Sequence, residues 1–355
     1  MKKALLAVLI PSLLGASSAF AGGVDLIKND DITLNFNGDI DLKSYTESDK
    51  TGENYSTDTE VIFDDLDFDL TYKVNDDLTF ISGVDFTADG GSETADGQGL
   101  VTDLIWVGFK TKYGQIQWGN IETSFDPLGI DNAEIYTGVA SGDTDGGGTS
   151  HENAIMYSIE IDDLWISATY GIPGDERQNT KITQMAWKYT PGDLQVNGGI
   201  GQTTKYVGDS QSEENDDGSD NDNYGSDEVA AKANYAQIEV EYDFGDMTAA
   251  ALVSYEDESE DDVQTTGFEV DFTYQLTSKL KLSTGADFLT QDIAGNTTND
   301  DFTTMYVAGI YKFSKLVSLQ MEIAQRDGDL QAFGKGKVTS YDGQTKAGML
   351  LSLDF

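Results

Sequence analysis

Histidine is the side chain best suited to acid–base chemistry near neutral pH, and this sequence contains only one, His151. It stands between Ser150 and Glu152, so a hydrolase that uses His151 as its general base is one interpretation. A lone histidine at a predicted loop-to-strand junction is far more often structural or solvated than catalytic. The chain has no cysteine, which excludes thiol chemistry and cysteine-ligated metal centres.

Carboxylates are far more abundant: Asp and Glu number 64 against 21 Lys and Arg, a formal charge of −43. This charge opposes nucleic-acid binding and favours cations. In the acidic stretch 209–228, Asp220 and Asp222 faintly resemble a calcium loop, but Tyr224 and Ala231 stand where oxygen ligands are needed. The composition predicts a solvated loop, with weak, distributed Ca²⁺ or Mg²⁺ binding as the alternative. A secreted soluble calcium-binding β-protein would have similar acidity.

Apolar and acidic side chains alternate residue by residue in several segments. In residues 63–72 one parity carries Leu66, Phe68, Leu70 and Tyr72, and the other carries Asp65, Asp67, Asp69 and Thr71. The pattern recurs at 239–244, at 268–274 and at the chain end, where Met349, Leu351, Leu353 and Phe355 share a parity. Because a strand sends successive side chains to opposite faces, these segments predict strands with one apolar and one polar face.

About sixteen such strands of roughly ten residues are predicted along the chain. They cover residues 32–45, 59–74, 77–88, 100–112, 114–121, 151–160, 163–172, 180–190, 193–203, 230–243, 246–256, 265–276, 279–291, 302–313, 315–326 and 346–355. Short turns alternate with long polar loops at 46–58, 89–99, 122–150, 173–179, 204–229, 257–264, 292–301 and 327–345. Tight turns at one end and longer loops at the other are typical of a transmembrane antiparallel up-and-down β-barrel, so we predict an all-β fold of this type.

The first 21 residues have the layout of a secretory signal peptide. Lys2 and Lys3 precede an apolar core that is too short for a transmembrane helix, and Ala19-Phe20-Ala21 supplies a cleavage site. We predict that residues 1–21 are cleaved and that residues 22–355 form a single barrel domain. Loss of the two lysines takes the formal charge from −43 to −45.

Three segments, in order, resemble the general trimeric porins of Gram-negative outer membranes. They are residues 66–79, residues 102–119 with Thr102-Asp-Leu-Ile-Trp-Val-Gly-Phe-Lys110, and Asn153-Ala-Ile-Met-Tyr157. The likeness in pattern extends over essentially the whole mature chain. It implies a location in the cell outer membrane, a homotrimer, and contact with outer-membrane lipid and lipopolysaccharide. It also implies that the terminal Phe355 is the signal recognised by the outer-membrane assembly machinery.

In the family that this chain resembles, the third long loop folds into the barrel and narrows the channel. The corresponding loop here is 122–150, and the resemblance marks Asp126, Asp131 and Glu134 as its acids. The family carries a ladder of arginines on the facing wall, but the matching positions here include Asp65 and Asp103. Together with Asp67, which alternation places on the same face as Asp65, these residues form the predicted pore constriction.

The resemblance therefore predicts an outer-membrane porin, a passive water-filled channel for small hydrophilic solutes and ions. It predicts neither catalysis nor an organic cofactor. Acids in place of the arginines further predict cation selectivity. The alternatives left open by the residues are a barrel-type outer-membrane hydrolase that uses His151 and the secreted soluble calcium-binding β-protein.

Overall fold

The computed structural model describes residues 23–48, 55–63, 66–89, 101–129, 149–173, 180–206, 229–259, 263–293, 300–331, 338–340 and 343–355. Nineteen strands within these ranges form one antiparallel sheet. They are β1 Val24–Lys28, β2 Ile32–Ser48, β3 Tyr55–Phe63, β4 Leu66–Asn75, β5 Leu78–Asp89, β6 Val101–Thr111, β7 Gly114–Glu122, β8 Ser150–Ile161, β9 Leu164–Gly171, β10 Thr180–Tyr189, β11 Leu194–Tyr206, β12 Val229–Asp243, β13 Met247–Glu258, β14 Val263–Thr277, β15 Leu280–Ile293, β16 Asp300–Lys312, β17 Val317–Gln331, β18 Val338–Ser340 and β19 Gln344–Asp354. In the described part of the chain, no helix is long and apolar enough to cross a membrane.

The nineteen strands make a closed barrel with sixteen wall positions. β3 and β4 occupy one position, because each pairs with a different half of β2. β1 and β19 occupy another, since both pair with the opposite edge of β2, and β18 only extends the β17 hairpin. The predicted sixteen-stranded antiparallel barrel is confirmed.

Closure is made by β2 and β19, the first and last long strands. Their register runs from Lys346 opposite Glu47 to Asp354 opposite Asp39. A lipid environment offers no water to pair with a free strand edge, and each unpaired backbone group there costs several kcal/mol. Because every wall strand has a neighbour on both sides, the sheet has no such edge.

The apolar face of the sheet lies outside and the polar face inside, the reverse of a water-soluble β-protein. In β14, Phe268 and Phe272 are 43% and 51% exposed, whereas Glu269 and Asp271 are each 1% exposed. Large exposed apolar side chains recur at alternate positions around the barrel. An exterior of this kind is stable against lipid hydrocarbon and unstable against water, which excludes the soluble calcium-binding alternative.

The short turns lie within one residue of the predicted positions: 75–76, 113–114, 162–163 and 277–278 are predicted, and 76–77, 112–113, 162–163 and 278–279 are found. Aromatic side chains just before them, including Tyr72 and Tyr274, are exposed on the outer face, as in an interfacial girdle. In the first of these turns, the Lys73 ammonium lies 2.7 Å from Asp76. Its hydrogen bond lowers the pKa of the Asp76 carboxyl below the ordinary value.

Several strands extend past their predicted ends on the long-loop side, and β17 does so furthest. β17 continues to Gln331 and pairs there with β18, so the predicted loop 327–345 begins as a hairpin extension. Arg326, expected at a loop edge, lies within β17. The part of a strand that extends beyond the membrane needs no apolar outer face, so its composition resembles that of a loop. The short β1, at Val24–Lys28, was also not predicted.

The terminal Phe355 pairs with the first long strand. Its N–H donates to the Gly38 carbonyl at 2.8 Å, and Gly38 N–H donates to the Phe355 carbonyl at 3.0 Å. The Phe355 ring centroid lies 5.6 Å from that of Phe36. The chain end therefore contributes both backbone pairing and an aromatic contact to closure.

We expect deletion of Phe355 to impair assembly, because it removes this pairing and the side chain proposed as the assembly signal. The measurement is the fraction of protein that migrates as a folded, heat-modifiable barrel on unheated gels. Phe355→Ala is the matched variant, since it keeps both backbone hydrogen bonds and loses only the ring. Normal folding of both variants would show that the residue has neither role.

Candidate functional site

The inner face of the barrel is strongly acidic. Among the described residues, nine carboxylates are buried on this face and no Lys or Arg is buried with them. The nine are Asp41, Asp85, Glu239, Glu256, Glu258, Glu269, Asp271, Asp287 and Glu322. Lysines do reach this face, as where Lys346 binds Glu47 at 2.8 Å, but the carboxylates outnumber them. The lumen wall thus presents a negative field to any solute inside it.

Most of these acids form a stripe on β12 to β17, which sequence reasoning did not include in the site. Glu269 and Asp271 belong to the alternating segment 268–274, and Glu239 belongs to 239–244. The same period-two pattern that marked Asp67 could therefore have identified them. The acidic stripe was missed because the family resemblance points to the third loop and to the wall that faces this loop.

The third loop turns into the barrel directly after β7. Ser124 Oγ lies 2.8 Å from Ser167 Oγ and 2.6 Å from Thr169 Oγ1, and the Thr169 hydroxyl also accepts the Ser124 N–H at 2.8 Å. Ser167 and Thr169 lie on the inner face of β9, two strands further along the wall. Hydrogen bonds between hydroxyl groups therefore fasten the start of the loop inside the lumen.

Apolar contacts also hold the start of the third loop against the inner face of the barrel. Phe125 and Leu128 are 4% and 8% exposed and cluster with Ala186 and Tyr235 on the inner face of β10 and β12. The Phe125 and Tyr235 rings meet edge to face, with centroids 4.9 Å apart. A side chain at Gly199 would place its Cβ 2.6 Å from the Phe125 ring, so glycine is required there to admit the loop.

The last described residue of the loop start contacts the acidic stripe. Gly129 N–H and the Asn197 amide each donate to the same oxygen of Glu239 at 3.3 Å. The segment 123–129 thus crosses the lumen face from β7 to β12. An inward-folded third loop was predicted, and its start has this course.

Two of the residues predicted for the constriction lie on the wall opposite the stripe. Asp67, on β4, accepts a hydrogen bond from the Asn37 amide at 2.8 Å, and its carboxylate lies close to that of Asp85 on β5. Asp103 also interacts electrostatically with Asp85. Between Thr102 and Ile105 the β6 register slips by one residue against β5, and this bulge interrupts the alternation at Asp103.

The other predicted residues are placed less fully. Asp126 lies in the loop start with an exposed side chain. Asp65, Asp131 and Glu134 lie outside the described residues, as does the acidic stretch 209–228. Whether these carboxylates together form the constriction therefore stays a prediction. Among the residues that the structure describes, no group of three or more His, Asp or Glu side chains is arranged to hold a metal ion.

His151 is held as a structural residue. It is 1% exposed, its Nε2–H donates to the Thr180 carbonyl at 2.9 Å, and its Nδ1 accepts the Asn153 N–H at 3.2 Å. The backbone amide can only donate, so the ring proton is assigned to Nε2. A general base needs a ring nitrogen that is directed at its substrate. Both ring nitrogens of His151 are instead hydrogen-bonded to backbone groups.

Residues 4–331 match the model of the Gram-negative porin family. The chain belongs to this family. It is a multi-pass β-barrel of the outer membrane, in agreement with the apolar exterior and acidic interior of the sheet. A search of curated protein sequences found no significant match.

Solved structures with the same fold are distant in sequence. OmpT, an outer-membrane protein of Vibrio cholerae, is 22% identical with a TM-score of 0.75, covering 94% of this porin and all of that chain. An anion-selective porin from Comamonas acidovorans is 14% identical, with a TM-score of 0.68 over 91% of this porin and all of that chain. Salmonella typhi OmpF, in complex with daunomycin, is 15% identical, with a TM-score of 0.68 over 93% and 99% of the two chains. At these identities the likeness shows the fold alone.

We expect Phe125→Ala to loosen the third loop while leaving the barrel intact. Truncating a buried phenylalanine costs about 3–5 kcal/mol, and here the loss falls on the contact between loop and wall. Limited proteolysis within residues 122–150 should accelerate, and current through single channels should become noisier. Phe288→Ala, on the lipid face and 41% exposed, is the matched control. Unchanged cleavage and current noise in Phe125→Ala would show that the loop is held elsewhere.

Proposed function

We propose that this porin is a passive, water-filled diffusion channel for small hydrophilic solutes that prefers cations to anions. The observation that carries the proposal is the acidic lumen wall, with nine buried carboxylates and no buried Lys or Arg among the described residues. A narrow passage with low-dielectric walls focuses such a field. Cations are enriched inside it and anions are excluded.

The fold by itself does not decide the sign of the selectivity. The anion-selective porin of Comamonas acidovorans has the same barrel architecture. The sign is expected to follow the charge of the side chains that line the lumen. For this chain those side chains include Asp67 and Asp85 on one wall and Glu239 and Glu269 on the other. A non-enzymatic role is part of the proposal, and the engagement of both His151 nitrogens supports it.

We further propose a homotrimer. Support comes from the family and from OmpT of Vibrio cholerae, which has been solved in a trimer form. The measurement is the protein mass of the detergent complex by light scattering during size-exclusion chromatography. A single-barrel mass at all protein concentrations would contradict a stable trimer.

Weak, distributed binding of divalent cations to the acidic outer loops stays a prediction from composition. Its test compares protease access to residues 209–228 with and without a chelator at fixed ionic strength. Equal access in both conditions would contradict it.

We expect the channel to pass K⁺ in preference to Cl⁻, and the preference to fall in acid and in high salt. Protonation removes the carboxylate charges, and salt screens them. Each unit charge about 8 Å from an ion in water changes its energy by about 0.5 kcal/mol, roughly a factor of two in concentration. Replacing Asp65 and Asp103 together by Arg changes the charge by four units, so it should lower the K⁺ to Cl⁻ permeability ratio by about tenfold or more.

The measurement is the reversal potential across a planar bilayer in a KCl gradient. Asp193→Arg with Asp246→Arg is the control, because it makes the same charge change at exposed short turns. It should shift the potential less. A wild-type channel without cation preference at low salt would sink the proposal, and an unchanged potential in the Asp65/Asp103 variant would remove these two residues from it.

A further inference from the structure

A recess of about 230 Å³ opens in the wall formed by β4 to β8. Asp67 and Asp69 line it, and Phe68 between them is 38% exposed on the outer face, so the recess lies on the lumen side of the sheet. Since a water molecule takes up about 30 Å³ of liquid, the recess has space for about seven waters or one small organic molecule. It is much larger than an inorganic cation without its water.

The charge of the recess has one sign. Four acidic residues, Asp67, Asp69, Asp85 and Glu122, line it, and none of its described lining residues is Lys, Arg or His. The side chains of Asp85 and Asp67 are within hydrogen-bond distance of each other, and Asp85 also interacts electrostatically with Asp69 and Asp103, so the acids act on the same space. Such a group repels anions and attracts cations.

An aromatic ring forms another part of the lining. Trp106 on β6 faces the lumen, and its neighbours across both adjacent strands are glycines, Gly83 on β5 and Gly119 on β7. A Cβ at Gly83 would lie 2.6 Å from the indole nitrogen, so the ring lies against the bare backbone at Gly83. Apolar side chains of Leu104, Ile121 and Met156 continue the same lining.

An aromatic ring beside several acidic residues, in a space too large for a bare metal ion, suits an alkylated ammonium group. The carboxylates attract its charge, and the indole and the aliphatic side chains contact its methyl or methylene groups. An inorganic ion that keeps its water shell cannot obtain the full attraction of an aromatic ring.

We propose that this recess is a binding site for small organic cations of the alkylammonium class. This proposal rests on the cation preference proposed above. The site makes the channel discriminate among cations, because alkylammonium ions bind at the wall of β4 to β8 whereas K⁺ passes. Trp106 and Asp69 are the residues that determine this specificity.

The test uses the folded full-length porin in detergent and choline as the probe. Its neutral isostere, 3,3-dimethyl-1-butanol, is the control ligand. We expect choline to change the tryptophan fluorescence saturably at fixed ionic strength and to reduce K⁺ current through the open channel at the same concentrations. The isostere should do neither. This comparison requires no variant, so it is independent of any folding defect.

Variants then locate the site. Trp106→Leu and Asp69→Asn should each weaken choline binding about threefold or more, corresponding to the lower part of the cation–π range and the loss of one close charge. Trp118→Leu is the matched control for the ring, since Trp118 lies on the outer face of β7 and is 38% exposed. Asp193→Asn is the control for charge. Heat-modifiable migration of each variant confirms that its barrel is folded.

The outcomes separate this proposal from the one on which it rests. Saturable binding of choline alone, weakened by Trp106→Leu and Asp69→Asn but not by the controls, supports the site. Equal binding of choline and the isostere, or an effect of the site variants no larger than that of the controls, overturns it. If K⁺ is preferred to Cl⁻ while choline shows no saturable effect, the organic-cation site is wrong and the cation-selective channel stands.

Discussion

The constraint on which the whole structure depends is that a strand in lipid must pair its backbone on both edges. Water is absent, so an open edge would leave a row of N–H and C=O groups unpaired at several kcal/mol each. The barrel meets this constraint only because β19 returns to β2, with Phe355 paired to Gly38. The even number of wall positions then brings the start of β2 and the end of β19 to the short-turn side of the barrel.

Closure also decides the chemistry of the interior. Once the apolar parity of each strand meets lipid, the other parity must line the enclosed space, whatever residues it holds. In β14 this single rule exposes Phe268 and Phe272 and turns Glu269 and Asp271 inward. The fold fixes which positions face the lumen but not their charge. The same barrel architecture therefore has an acidic lining in this chain and also occurs in an anion-selective porin.

The sequence predicts most of the wall for the same reason. Alternation depends on a local pattern of burial, so the segments around Leu66 to Tyr72 and Met349 to Phe355 could be assigned without knowledge of their neighbours. Features that depend on neighbours could not. The bulge before Ile105 shows only in its register with β5, and the contacts of Ser124 with Ser167 and Thr169 join residues more than 40 positions apart. Gly83 and Gly119 can be seen in the sequence, but only the strand register shows that they are the neighbours of Trp106 on the two adjacent strands.

The attachment of the third loop is suited to an acidic lumen through which ions pass. A loop held by ion pairs would compete with permeating cations for the same carboxylates and would loosen as salt screened the charges. The described contacts of the loop start are mainly of another kind: hydroxyl groups at Ser124 and the Phe125 ring against Tyr235, with one backbone N–H donated to the Glu239 carboxylate. Hydrogen bonds between neutral groups and apolar contacts depend little on ionic strength. The loop start can therefore keep its place while the charges of the wall interact with the ions.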